Sequence, residues 1–370
     1  MSASELLQRV DSILQATRKS KKDFAAAIGI DGPKLTKSLA GDRRFTSLEL
    51  ALIAQLGETS VDWLLTGAGQ GLAARNYRAE PQAVQAGESV VAETLGLVAD
   101  RLAGLRHLDR GLEVPELPPI IRGGGWLTEA RKLAQAYRDR MGVDIGGRTN
   151  VELIGQAEET FGLDVIVRHL PEGLDGLSLV EGSMRAVVLA TNRLPFRQRF
   201  TFAHELGHIA FNDSPDEVFE ERMWTSRHPN EKRADSFAAY FLAPPEEIRR
   251  KLDGRAAEEI FPELVMHFHL SPRAMAWRLF NDGLIGAAAR ERFLGRTARS
   301  VALEAGRLDD QNRREQLAST DRPAMRLVNA YQEAFEQGAV TSRPLAALLG
   351  EDLETFLSRD DDGGDFGPEH

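Results

Sequence analysis

Apolar residues recur three and four positions apart at the start of the chain, where Leu6, Leu7, Val10, Ile13 and Leu14 mark one helical face. Ser20 is placed to cap a second segment, Lys21–Ile28, whose Phe24, Ala25, Ala27 and Ile28 are followed by the helix-stopping Gly29. Asp31 is placed to open a third, short helix with Pro33 in its first turn and Leu35 and Leu39 facing a core. Ser47 is expected to cap Leu48–Leu56, and Val61–Leu65 closes the packet. The pattern predicts an all-α domain over residues 1–66.

The pattern changes after that. Residues 67–125 read as a linker that carries one helix: a glycine-rich start, an Ala/Val/Leu helix over Val84–Leu108, then Gly111–Gly125 with three prolines and three consecutive glycines. An α+β domain is expected over 126–295. Its helices fall at Leu127–Met141, Val151–Phe161, Phe200–Phe211, Glu231–Leu242 (stopped by Pro244-Pro245) and Ile260–Leu284, and β-branched runs at Asp164–Val167 and Ser183–Ala190 read as strands. Residues 296–358 are helical again. There Arg326–Gln337 and Leu345–Leu349 suggest a small module that caps the fold, and 359–370 reads as a disordered acidic tail. The fold class is therefore α+β and mostly helical.

Composition narrows the function. Among 370 residues, 46 Lys and Arg face 56 Asp and Glu, a net charge of −10. Residues 1–66 hold nine basic and eight acidic side chains, a net of +1, which leaves −11 for the remainder. The absence of cysteine excludes a disulfide framework, cysteine-ligated zinc or iron–sulfur sites and a thiol nucleophile. No basic-then-apolar leader opens the chain and no run approaches ~18 apolar residues, so the expectation is a cytoplasmic protein with no membrane partner.

The chemistry lies in His204-Glu205-Leu206-Gly207-His208. Histidines at i and i+4 project from one helix face and can share one Zn²⁺, while Glu205 falls where it can take a proton from water without ligating. Zinc needs a third protein ligand. Glu231 can supply it, and Asp235, one turn later on the same helix face, can accept the second imidazole N–H of a ligand histidine. Two imidazoles, one carboxylate and an open position favour zinc over manganese or iron. Gly207 lets another strand or loop approach closely. Tyr240, His228 and His269 are the candidates by type for an oxyanion donor, and the sequence does not choose among them.

The stretch from Arg197 to His208, followed by Glu231-x-x-Ala-Asp-x-Phe-Ala and Leu242-Ala-Pro244, resembles the ImmA/IrrE family of metallopeptidases. The resemblance runs over roughly Ala130–Leu284 and takes in Gly-Leu-Ser at 176–178. It implies a minimal zincin-like fold and the ligand role of His204, His208 and Glu231, with Glu205 as base. It also implies a protein substrate of the transcriptional-repressor or antitoxin kind, cleaved to switch stress or mobile-element genes.

Phe24 to Gly41 resembles the helix-turn-helix of Cro/repressor-type domains, which implies DNA as a partner. Lys34 and Lys37 would lie on the exposed side of the reading helix, with Lys22, Arg43 and Arg44, together with Arg18, placed for phosphates. No Gln, Asn or Arg stands at the start of that helix for a bidentate base contact. The alternative function is a DNA-binding transcriptional regulator whose peptidase-like domain senses a ligand or is catalytically silent. Pairing as a homodimer stays open.

Overall fold

The computed structural model describes residues 3–17, 19–56, 81–142, 144–171, 173–213 and 229–361. Arg18, His228, the helix expected over Val61–Leu65, residues 67–80 of the expected linker and the tail beyond Asp361 lie outside these residues. The chain divides into two units, Met1–Leu72 and Ala73–His370.

In the first unit, α1 (Ala3–Ala16), α2 (Lys21–Ala27), α3 (Gly32–Leu39) and α4 (Ser47–Leu56) surround Val10, Ile13, Phe24, Ile28, Leu35 and Ile53. The expected caps form at α2 and α3. Ser20 Oγ accepts from the Asp23 N–H at 3.2 Å, and Asp31 Oδ1 from the Lys34 N–H at 2.8 Å. Gly29, at φ +72°, supplies the left-handed turn between these helices. At α4 the capping residue is Thr46 rather than Ser47. Thr46 Oγ1 accepts from the Glu49 N–H at 3.2 Å, and the Glu49 carboxylate accepts from the Thr46 N–H at 2.9 Å.

The second unit is built on a three-stranded sheet of order β1-β3-β2: β1 (Asp164–Arg168) lies parallel to β3 (Met184–Ala190), and β2 (Gly176–Glu181) antiparallel to it. The strand β2 has no counterpart in the sequence reading. Val165, Val167, Val187 and Leu189 point into the main core, and the alternate face meets α5 (Pro81–His107), where Arg168 donates to Thr94 Oγ1 at 2.6 Å.

On the core side lie α6 (Trp126–Met141), α7 (Asn150–Phe161), α8 (Pro195–Phe211) and α9 (Pro229–Leu242). Tyr137 of α6, Phe161 of α7 and Phe237 of α9 pack ring against ring. Arg199 of α8 is fully buried and donates to the carbonyls of Ile145 and Arg148 at 2.5 and 3.0 Å, tying the loop before α7 to α8. Burial pushes its guanidinium down to about 9, so it is still a cation at neutral pH.

Beyond α9 one expectation holds and gains a consequence, and another is corrected. Pro244-Pro245 ends one helix and also starts another, α10 (Pro245–Leu252), because proline at a first helical position has no N–H to lose. The single helix expected over Ile260–Leu284 is two, α11 (Phe261–Phe268) and α12 (Pro272–Asn281). They are parted by His269 at φ +51° and by Ser271, whose hydroxyl caps α12. There follow α13 (Ala287–Leu294), α14 (Ala298–Glu304), α15 (Leu308–Ala318), α16 (Met325–Glu336), α17 (Arg343–Leu349) and α18 (Leu353–Asp361). The last of these takes in the first three residues of the expected acidic tail.

The C-terminal helices belong to the same unit as the sheet. Val167 of β1 and Arg322 exchange backbone hydrogen bonds at 2.8 Å in both directions. The Arg322 guanidinium binds the buried Glu158, and Arg326 binds the buried Asp164 at 3.0 Å.

Candidate metal centre and active site

The helix α8 carries His204, Glu205 and His208 with almost no polar face, so its two imidazoles are buried side by side. Their Nε2 atoms lie 3.0 Å apart. Glu231, in the first turn of α9, brings Oε2 to 3.4 Å from His204 Nε2 and Oε1 to 3.4 Å from His208 Nε2. Among the described residues, His204, His208 and Glu231 form the cluster able to hold a metal ion.

Gly207 is what lets α9 come this close. A Cβ there would lie 3.1 Å from Ala234 Cα and 3.2 Å from the Phe237 ring. The close partner is therefore a helix, where the sequence suggested a strand or a loop.

The outer imidazole nitrogens are held by carboxylates. His204 Nδ1 lies 2.9 Å from Asp235 Oδ1, as the i, i+4 placement of Glu231 and Asp235 suggested. His208 Nδ1 lies 3.0 Å from Asp213 Oδ2, a residue the sequence reading missed. The local signal was present. Asn212, at φ +50°, turns the chain back at the end of α8, and the Asp213 N–H donates to the His208 carbonyl at 3.1 Å. Asp213 is itself gripped by Arg233 at 2.5 Å, and Arg233 also reaches Asn230 at 2.6 Å and lies over the Phe211 ring.

These contacts fix the chemistry of the donor set. With each Nδ1–H directed to a carboxylate, each Nε2 turns its lone pair toward the other and toward Glu231. Electron-rich atoms so placed repel unless a cation sits among them. The two Nε2 atoms lie 3.0 Å apart and each lies 3.4 Å from a different oxygen of Glu231, spacings near the roughly 3.3–3.4 Å that separates donors around a tetrahedral metal with bonds of about 2.0–2.1 Å. The residues fit zinc. Replacing Asp213 by alanine is expected to weaken zinc binding by about 10–100-fold in a chelator competition, with a smaller loss for Asp235→Ala. The order follows from exposure, since the Asp213 side chain is 3% exposed and that of Asp235 48%. Equal affinity in all three proteins would refute it.

Glu205 is buried and accepts from Ser178 Oγ at 2.8 Å. Ser178 is on β2, and its neighbour Gly176 touches α8 one turn earlier, where a Cβ would lie 2.7 Å from Thr201 Cγ2. Two strand steps and one helical turn advance by about 6–7 Å each, so Gly176 and Ser178 track Thr201 and Glu205 along α8. That pairing is tertiary, and no spacing in the sequence announces it.

Neither described candidate for an oxyanion donor reaches this group. Tyr240 is nine residues beyond Glu231, half a revolution away on α9 at about 100° per residue, and its ring lies under the Arg278 guanidinium at 4.2 Å. His269 is buried against Phe196 in the first turn of α8, far from His204 along the helix. Burial, then the charges of Arg199 and Arg314, hold its imidazole well below the usual histidine range.

In the first unit, Lys22, Lys34, Lys37 and Arg44 are exposed, with Lys34 3.4 Å from Asp31. Arg43 stands apart from them. Its guanidinium is bidentate to Glu49 at 2.6 and 2.9 Å and donates to Ser38 Oγ at 2.9 Å, which ties it into its own fold.

Residues 158–280, about a third of the chain, match the model of a peptidase family described as the IrrE N-terminal-like domain. No curated protein matches the chain. The matched stretch runs from the end of α7 to α12 and contains the whole donor set, Ser178 and Glu205.

Proposed function

We propose that the chain is a zinc-dependent metalloendopeptidase that cuts a regulatory protein. The observation that carries this reading is the convergence of His204, His208 and Glu231 within 4.8 Å of one another, with Glu205 next to the first of them. Zinc, when bound there, supplies Lewis acidity toward water and the scissile carbonyl. Glu205 takes a proton from the attacking water as its oxygen bonds to the carbonyl carbon, then gives it to the leaving amine as the C–N bond breaks. Ser178 fixes one oxygen of that carboxylate. Among the described residues no strand pairs with the outer edge of β2. An extended segment can be added there beside Glu205. That the protein cut is a repressor or an antitoxin-like regulator rests on the family resemblance.

The test is elemental analysis of the purified chain and its His204→Ala variant. The expected result is about one zinc per chain, lost in the variant. No metal in either protein after zinc is supplied would sink the reading. It would leave the alternative, a regulator with a silent peptidase-like domain.

We also propose DNA as a partner of the first unit, through Lys22, Lys34, Lys37 and Arg44 on its exposed surface. Arg43 drops out of the set that the sequence suggested. Lys34→Ala with Lys37→Ala is expected to weaken binding to duplex DNA and to lower its salt dependence by about two ions. An unchanged salt slope would count against DNA.

No helix among the described residues is long and apolar enough to cross a membrane.

A further inference from the structure

A second site lies away from the metal donors. The last turn of α10, helix α11 and the end of α14 line an open cavity of about 240 Å³, whose charged residues are exposed. Its lining includes Lys251, Arg255, His267 and Arg307 against one carboxylate, Glu263. In a chain of net charge −10 this is a local reversal of sign.

The positive charge is only partly neutralised from within. Glu263 lies 3.3 Å from Arg255, and Arg307 is paired with Asp310 at 2.8 Å. Lys251 has no ion pair among the described residues. The field is felt by the one titratable ring in the cavity: burial first, then the charge of Lys251, hold the His267 imidazole below its usual range, with Arg307 adding to the effect. Asp144 opposes them from the loop before α7.

Backbone adds to side chains here. Ile260, the capping residue of α11, lines the cavity and gives that helix no side-chain cap. The partial positive charge of the α11 N-terminus therefore faces the same space as the three cations. The volume falls below the roughly 300–1,000 Å³ of sites that enclose drug-sized ligands. It suits a small anion.

We propose that this cavity is a binding site for a phosphate group, with Lys251 and Arg307 as its principal side-chain ligands. Those pairings leave the charge of Lys251 uncompensated, and phosphate oxygens can accept from its ammonium and from the Arg307 guanidinium. The site is independent of the peptidase reading and stands or falls without it.

The test is calorimetric titration of the full chain at low salt with inorganic phosphate and, separately, with adenosine monophosphate. The same titrations are run on Lys251→Ala and on the Lys251→Ala/Arg307→Ala double variant. Saturable binding of phosphate is expected in the unaltered chain, weakened in Lys251→Ala and at least about tenfold weaker in the double variant. Lys251 is exposed and has no ion pair among the described residues, so the single variant is expected to keep its thermal midpoint and to report on binding alone. Tighter binding of the nucleotide would assign the phosphate to a phosphoester ligand, and equal binding to the free ion; both support the site. Absence of saturable binding, or equal affinity in all three proteins, would overturn it. Phosphate that binds the double variant normally but is lost in His204→Ala would also overturn it, by placing the anion at the metal donors.

Discussion

Glu205→Gln is expected to cut peptide-bond hydrolysis by about 10²–10⁴-fold while zinc content stays at the wild-type level. The two readouts separate because Glu205 is not one of the three converging donors, which are His204, His208 and Glu231. Glutamine keeps the size of the side chain and can still accept from Ser178, whose hydroxyl now donates to Glu205 Oε2 at 2.8 Å. It cannot take up a proton at neutral pH. The measurement is incubation of the zinc-loaded chain with a mixed peptide library, with new termini counted by mass spectrometry. Equal cleavage by the variant would remove Glu205 from the chemistry, and with it the peptidase mechanism. The silent-domain alternative expects the two proteins to behave alike.

The site was legible in the sequence where its geometry is local. Helical spacing alone relates His204 to His208 and Glu231 to Asp235, so those pairs could be read before any fold was known. The link between the two helices depends on the contact at Gly207, which a sequence suggests only as a small residue where something can come near. Ser178 belonged to the Gly-Leu-Ser of the resemblance, but its strand and its contact with Glu205 escaped because β2 begins with glycine and is buried over its first four residues, which removes the alternation that marks a half-buried strand. Asp213 escaped for a different reason. It follows a helix end, and only the left-handed turn at Asn212 folds it back on His208. Among the basic residues of the first unit, charge alone could not separate Arg43, which serves its own fold, from its exposed neighbours.

The second large effect concerns residues that the sequence placed outside the peptidase-like stretch. Glu158 and Asp164 are 2% and 0% exposed, and their cationic partners, Arg322 and Arg326, come from the segment after residue 295. Burial drives both carboxyls above their usual range, and the two arginines pull the other way. Removing one partner of such a pair costs about 3–5 kcal/mol, because the other is left charged and buried. Losing both partners approaches the whole stability of an ordinary domain, about 5–15 kcal/mol. Deletion also strips the backbone pairing between Val167 and Arg322 from β1. A chain ending at residue 295 is therefore expected to lose its cooperative thermal transition and its zinc, although every metal donor is still present. Arg322→Ala, a milder change, is expected to keep the fold and lower its stability by about 3–5 kcal/mol in urea. A truncated chain that melts cooperatively and binds zinc normally would show that the sheet carries its buried carboxylates without help. The C-terminal helices would then be an appendage to the peptidase-like unit and not part of its support.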